Sequence, residues 1–194
     1  GDYLTVPSIP NFGNYSPYCI EMWVNTSATY GYLLHNVTGS SGMRLSVGNI
    51  VSTSDPGKVC WIERYANVNH VVTSSSRVDD GEWHHWMLYN DVLAITGSKL
   101  YVDGTEIAVN LYKTTGTVAN LNNQSQPLTI GSIQNNSTNP DRHFTGSIKE
   151  FSVFSGDKTG NASTYYNNGT PYDVTNEDNL QAYWKMTENH GTIA

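Results

Sequence analysis

Short runs in which apolar and polar residues alternate recur along the whole chain, separated by clusters of Gly, Asn, Ser and Asp. In "YCIEMWV" (Tyr18 to Val24), Ile20, Met22 and Val24 alternate with Cys19, Glu21 and Trp23, the period of two that a strand requires. "DYLTVPS", "GYLLHNVT", "GMRLSVG" and "KVCWIERY" are further strand-like runs with turn residues between them. The clearest local signal is "SKLYVDGTEIAV". Two β-rich arms flank Asp103-Gly104, a pair that tolerates the positive φ of a tight hairpin turn. "PLTIGSI", "FTGSIKEFSVFSG" and "NLQAYWKM" extend the series. Helix is expected only around "NASTYYNNGT", where Asn161 or Ser163 is placed to cap a turn or two. The pattern predicts one all-β domain, a sandwich or barrel, over residues 1–194.

Composition changes the functional picture more than the structural one. Only 14% of residues are charged and the formal net charge is -7, so the basic footprint of a nucleic-acid binder is missing. No apolar run approaches the length of a membrane span, and membrane insertion is not expected. Polarity comes from Asn, Ser, Thr and Gly, with 13 Tyr and 5 Trp supplying much of the bulk, a mixture common in extracellular proteins. Cys19 and Cys60 allow one internal bridge or two buried free thiols.

The stretch "DDGEWHHWMLYND" raises the question of catalysis or metal binding. On a strand, neighbouring side chains point to opposite faces. His84, Trp86, Leu88 and Asn90 then share one face, while Trp83, His85, Met87 and Tyr89 share the other. The two histidines therefore do not chelate one metal together, and each is expected to be packed or hydrogen-bonded near one sheet surface. Asp79-Asp80-Gly81 reads first as the turn into that strand. Its second reading is a source of calcium ligands, Asp79 and Asp80, with most of the oxygens coming from elsewhere.

Taken in order, several stretches resemble the laminin-G-like branch of the concanavalin A-like jelly rolls. "GDYLTVPSIPNFGNYSPYCIEMWV" resembles the opening strand, loop and Trp-bearing second strand of that family. "DDGEWHHWMLYND" resembles its D-G-x-W-H-H segment, "KLYVDGTEI" its L-Y-V-D-G hairpin, and "LTIGS" with "FTGSIKEFSVF" its later strands. "YYNNGTPYDVTNEDNLQAYWKM" is similar to the tail of copies from secreted bacterial proteins and from phage or virus particles. The resemblance implies a two-sheet antiparallel jelly-roll sandwich with the first and last strands adjacent. It also implies a rim of loops where relatives bind calcium, glycans or proteins.

The superfamily includes glycoside hydrolases, which need two carboxyl groups about 5 Å apart for a retaining reaction. No E-x-D-x-x-E run is present, and Glu21, Glu63, Glu82 and Glu150 stand singly on their strands. Catalysis is therefore not expected. For binding, the loop "SIQNNSTNPDRHFTG" concentrates groups suited to sugar hydroxyls: Gln134, Asn135, Asn136, Asp141, Arg142 and His143. In pentraxins, to which the resemblance extends, the corresponding loop supplies calcium ligands. Here amides largely replace those acids, and the bland alternative is an exposed loop of Asx turns. "WIERYANVNH" offers Trp61 and Tyr65, and "TYGYLLHN" offers Tyr30 and Tyr32, each as core or as sugar platform. The expectation is a recognition or adhesion module for glycans or surface proteins, extracellular or on a cell or virion surface, with calcium as the one cofactor envisaged. Its rival is a decoration, fibre or filament subunit that acts by assembling with itself or other subunits.

Overall fold

The computed structural model describes residues 3–6, 17–38, 41–49, 54–65, 68–91, 95–113, 127–132 and 143–186. Its strands are β1 (Leu4–Val6), β2 (Tyr18–Asn25), β3 (Gly31–Thr38), β4 (Ser41–Asn49), β5 (Ser54–Tyr65) and β6 (Val68–Arg77). They continue with β7 (Trp83–Asn90), β8 (Lys99–Val102), β9 (Thr105–Ile107), β10 (Val109–Lys113), β11 (Leu128–Ile130), β12 (Ser147–Ser155) and β13 (Leu180–Trp184). They form two antiparallel sheets packed as a jelly-roll sandwich. The first runs β1-β11-β3-β4-β5-β6-β10 and the second β13-β12-β2-β7-β8-β9. The resemblance implied adjacent first and last strands, but the two are not sheet neighbours: β1 pairs with β11 and β13 with β12, each at the edge of its own sheet.

The alternation in β2 explains why it sits at the centre. Tyr18, Ile20, Met22 and Val24 enter the core between the sheets, where they meet Trp61 from β5 and Trp86 and Leu88 from β7. Burying side chains of this size contributes about 1.5–3 kcal/mol each. The other face of β2 is covered as well. Cys19 joins Met87, Tyr101, Phe154, Ala162, Tyr165 and Val174 in a second apolar layer. That layer forms because a short helix, α1 (Ala162–Tyr166), lies over the outside of the second sheet. Phe154, Tyr165 and Tyr172 stack through it at 5.6 Å spacings. Asn161 occupies the helix N-cap position without a side-chain capping bond.

β6, "VNHVVTSSSR", departs from the sequence expectation because its serine run has little strand propensity of its own. It is held as a strand by pairing on both sides, with β5 and with β10. The expected hairpin forms, with Asp103 at φ 52° and Gly104 at φ 74° between β8 and β9. A Cβ on Gly104 would lie 2.9 Å from Ser163 Cα, so this glycine also lets α1 seat on the turn. Cys19 and Cys60 are buried free thiols, which settles the alternatives left by the sequence.

Candidate functional site

The turn before β7 and the β8–β9 hairpin converge on His84. Its Nδ1 is 2.7 Å from Asp103 Oδ2 and its Nε2 is 3.0 Å from Asp80 Oδ2. Asp103 in turn accepts a hydrogen bond from the His85 backbone N–H through Oδ1 at 2.9 Å. Burial alone would lower the His84 pKa, but the bonds to Asp103 and Asp80 outweigh it and raise the value. The backbone N–H of Glu82, followed by His84, holds the Asp80 carboxyl below its ordinary value. Asp79 belongs to a different network. It packs against Gly57, where a Cβ would lie 2.3 Å away, and accepts from Arg77 Nε at 2.9 Å and also from Nη2. Calcium needs six to eight oxygens. The described arrangement is an ion-pair network with an imidazole between two of the carboxylates, and no group of three metal-ligating side chains occurs among the described residues.

His85 points the other way, as strand alternation requires. Its Nε2 lies 2.5 Å from Glu21 Oε2, and Ser152 Oγ donates to Glu21 Oε1 at 2.8 Å. Both partners bond the carboxylate, which leaves no serine–imidazole bond of the kind that activates a nucleophile. In sequence Glu21 stands alone on its strand. Its partners come from two neighbouring strands of the second sheet, and only a buried acid between apolar neighbours hints at them in sequence.

Glu63 lies at one end of the inter-sheet core. Tyr18 Oη donates to its Oε1 at 2.6 Å, and Asn90 Nδ2 donates to the same oxygen. Ser98 Oγ donates to Asn90 Oδ1 at 3.1 Å. Burial pushes the Glu63 carboxyl up to about 7, a shift that the Tyr18 hydrogen bond partly opposes. Trp61, Glu63, His70, Val72, Asn90 and Ser98 line a small recess there.

The outer face of the second sheet presents an exposed aromatic surface. Trp83 is 38% exposed. The Lys149 ammonium stands 4.2 Å from the centroid of Trp83 and 5.5 Å from that of Trp23. Trp23 is itself stacked at 5.9 Å on Tyr166 of α1. Glu150, next to Lys149, has a φ of 53°, and the β12–β2 register breaks between Lys149 and Ser152. Tyr183 Oη donates to Glu150 Oε2.

Of the residues singled out in sequence, Gln134, Asn135, Asn136, Asp141 and Arg142 lie outside the described residues, as does the side chain of Tyr65. His143 is half-buried. It forms an isolated backbone bridge with Tyr32, and its ring lies 6.5 Å from the exposed ring of Tyr3. Trp61 and Tyr32 are core residues at 3% and 1% exposure, whereas Tyr30 is exposed.

A family model described as the concanavalin A-like lectin/glucanases superfamily, of laminin G type, matches residues 1–162. No curated protein sequence matches the chain. Among solved structures, a candidate carbohydrate binding protein from Bacteroides ovatus ATCC 8483 superposes with a TM-score of 0.67 at 17% identity, over 100% of this chain and 52% of that one. Domains LG4-5 of the mouse laminin alpha1 chain give 0.58 at 14% identity, over 80% and 40%. A botulinum neurotoxin type C structure, concerned with cell entry through two ganglioside molecules, gives 0.55 at 14% identity, over 82% and 37%. Likeness at these identities establishes the fold. The chain spans about half the length of the first of these structures and less of the other two.

Proposed function

The chain belongs to the concanavalin A-like lectin/glucanase superfamily, and from that premise we propose a non-catalytic recognition module that binds glycans or surface proteins outside the cell or on a particle. Burial is the observation that carries this reading. Glu21, His85 and Ser152 form the most enzyme-like constellation on the described strands, yet they are 2%, 0% and 0% exposed. No substrate reaches them. Glu63 faces the inter-sheet core and Glu150 is bonded to Tyr183, so each strand acid serves its own structural network. The solvent-facing chemistry is instead aromatic and polar, the composition that stacks on and hydrogen-bonds to sugars. The Bacteroides structure described as a candidate carbohydrate binding protein supports the same reading.

The test is a glycan and surface-protein array probed with the purified chain, once with calcium and once with a chelator, beside a hydrolysis assay on a polysaccharide panel. Binding without release of reducing ends is expected. Turnover would overturn the non-catalytic part, and silence on every array would overturn recognition. Loss of binding in chelator would bring calcium into the site.

A second reading, assembly into a larger particle or fibre, is favoured by one feature. β10 is an edge strand of the first sheet and carries two exposed residues, Leu111 at 37% and Tyr112 at 52%. Exposed edges of this kind are templates for pairing with another chain.

A further inference from the structure

The geometry points to a subsite for the anionic group of an acidic glycan on the outer face of the second sheet, centred on Trp83 and Lys149. This inference rests on the recognition reading and gives it a place and a ligand class.

Lys58, Arg77, Lys99, Lys158 and Lys185 each sit against a carboxylate. Lys149 is held by two indole rings instead, and no described carboxylate pairs with it. Cation–π contacts fix an ammonium without neutralising it. In a chain with a net charge of -7, a positioned cation left free for an outside anion is a specific provision.

The backbone explains how the ammonium comes to lie there. In register, Lys149 faces Trp23 and His85, while Ser147, Asn25 and Trp83 form the next row across the same three strands. Lys149 thus reaches diagonally to the neighbouring row. The β12 bulge begins at this residue, with Glu150 in the left-handed region. Bulges bend the strand and increase its twist, and the positive φ of Glu150 is a strain that the surrounding structure sustains.

The neighbours complete a sugar-sized surface. Trp83 offers exposed indole surface beside the ammonium as an apolar contact for a pyranose. Ser147 is exposed, and Asn25 spends its Nδ2 on Gly81 O at 2.6 Å, leaving Oδ1 for a hydroxyl. The ammonium then meets a carboxylate or sulfate on the same ring. An uncharged sugar would leave that cation unused.

The experiment is calorimetric titration of the wild-type chain and of K149M, K149R, W83A and the control K185M. Circular dichroism and thermal unfolding establish that each variant is folded. The probes are an oligogalacturonate, a sulfated galactan oligosaccharide, the uncharged galactan oligosaccharide and poly-glutamate. At least one acidic sugar should bind, more weakly as salt is raised. K149M, which keeps the stem on the indoles but loses the charge, should weaken binding roughly tenfold or more, as should W83A. K149R should restore most of it, and K185M should stay close to wild type. Binding of the carboxylated or of the sulfated probe alone identifies the anion, and either supports the proposal. Equal binding by K149M, or an uncharged galactan bound as tightly as its sulfated form, overturns the acidic subsite while the recognition reading stands. Poly-glutamate bound as tightly as the sugars overturns the glycan assignment. Absence of binding by every acidic sugar overturns the acidic subsite, and silence of the glycan and surface-protein array as well overturns the recognition reading with it.

Discussion

At the residue scale, Glu63 places an acid almost entirely out of water. It is 4% exposed and bonded to Tyr18 and Asn90, and burial raises its carboxyl to about 7 from an ordinary 4.5. Because the folded value lies above the unfolded one, the native state holds the extra proton between those two limits. The contribution of this group to stability is therefore complete below the unfolded value and is lost as pH rises through about 7. The span corresponds to about 3 kcal/mol. Glu63→Gln keeps an acceptor for Tyr18 and has no proton to lose. Urea unfolding should show the variant gaining on wild type by up to ~3 kcal/mol at alkaline pH and little at acid pH. A loss at alkaline pH would mean that charge-assisted bonds from Tyr18 and Asn90 outweigh desolvation. The difference between the two proteins isolates Glu63 from His84, whose raised pKa also makes stability fall as pH rises through its folded value.

Elements were legible wherever one face of a strand carried the apolar set and a turn signal closed it. β2, β12 and the β8–β9 hairpin meet both conditions, and the Asp103-Gly104 pair adopts the backbone its chemistry allows. β6 was not legible, because its pairing partners rather than its own residues make it a strand. The site was less legible than the fold. Glu21 meets His85 and Ser152 across separations of 64 and 131 residues, and Lys149 meets Trp83 diagonally across the intervening strand β2. Neither spacing nor period encodes such meetings. The second role of Gly104 is equally hidden, and it leads to a comparison. Gly81 also has positive φ, at 85°, but open space surrounds its missing Cβ. Gly81→Ala should cost only the left-handed backbone penalty, about 1–2 kcal/mol. Gly104→Ala should cost clearly more, because its methyl group meets Ser163 Cα and the Tyr166 side chain. Equal melting temperatures for the two variants would mean that α1 is not seated on this turn.

At the scale of the whole molecule, the second sheet packs on the inter-sheet core with one side and carries a second apolar layer over part of the other. The family match ends at residue 162, yet Tyr165 and Val174 help to close the outer layer. These two residues, beyond the matched segment, therefore pack on the sandwich. The exposed edge at β10 bears on assembly. If the chain works by self-association through that edge, sedimentation velocity over a concentration series should show it. Leu111→Lys combined with Tyr112→Lys should then abolish it. A monomer at the highest concentrations would remove self-assembly through β10.

The two thiols carry a consequence for where such a molecule is made and where it works. Cys19 lies in the outer layer of the second sheet, and Cys60 lies on the face of β5 opposite Trp61. Burial pushes both up to about 12, so neither offers a thiolate for exchange. The described residues hold together without a covalent cross-link. The same folded form is accessible in a reducing cell interior and in an oxidising exterior, and no oxidation step marks the passage from one to the other.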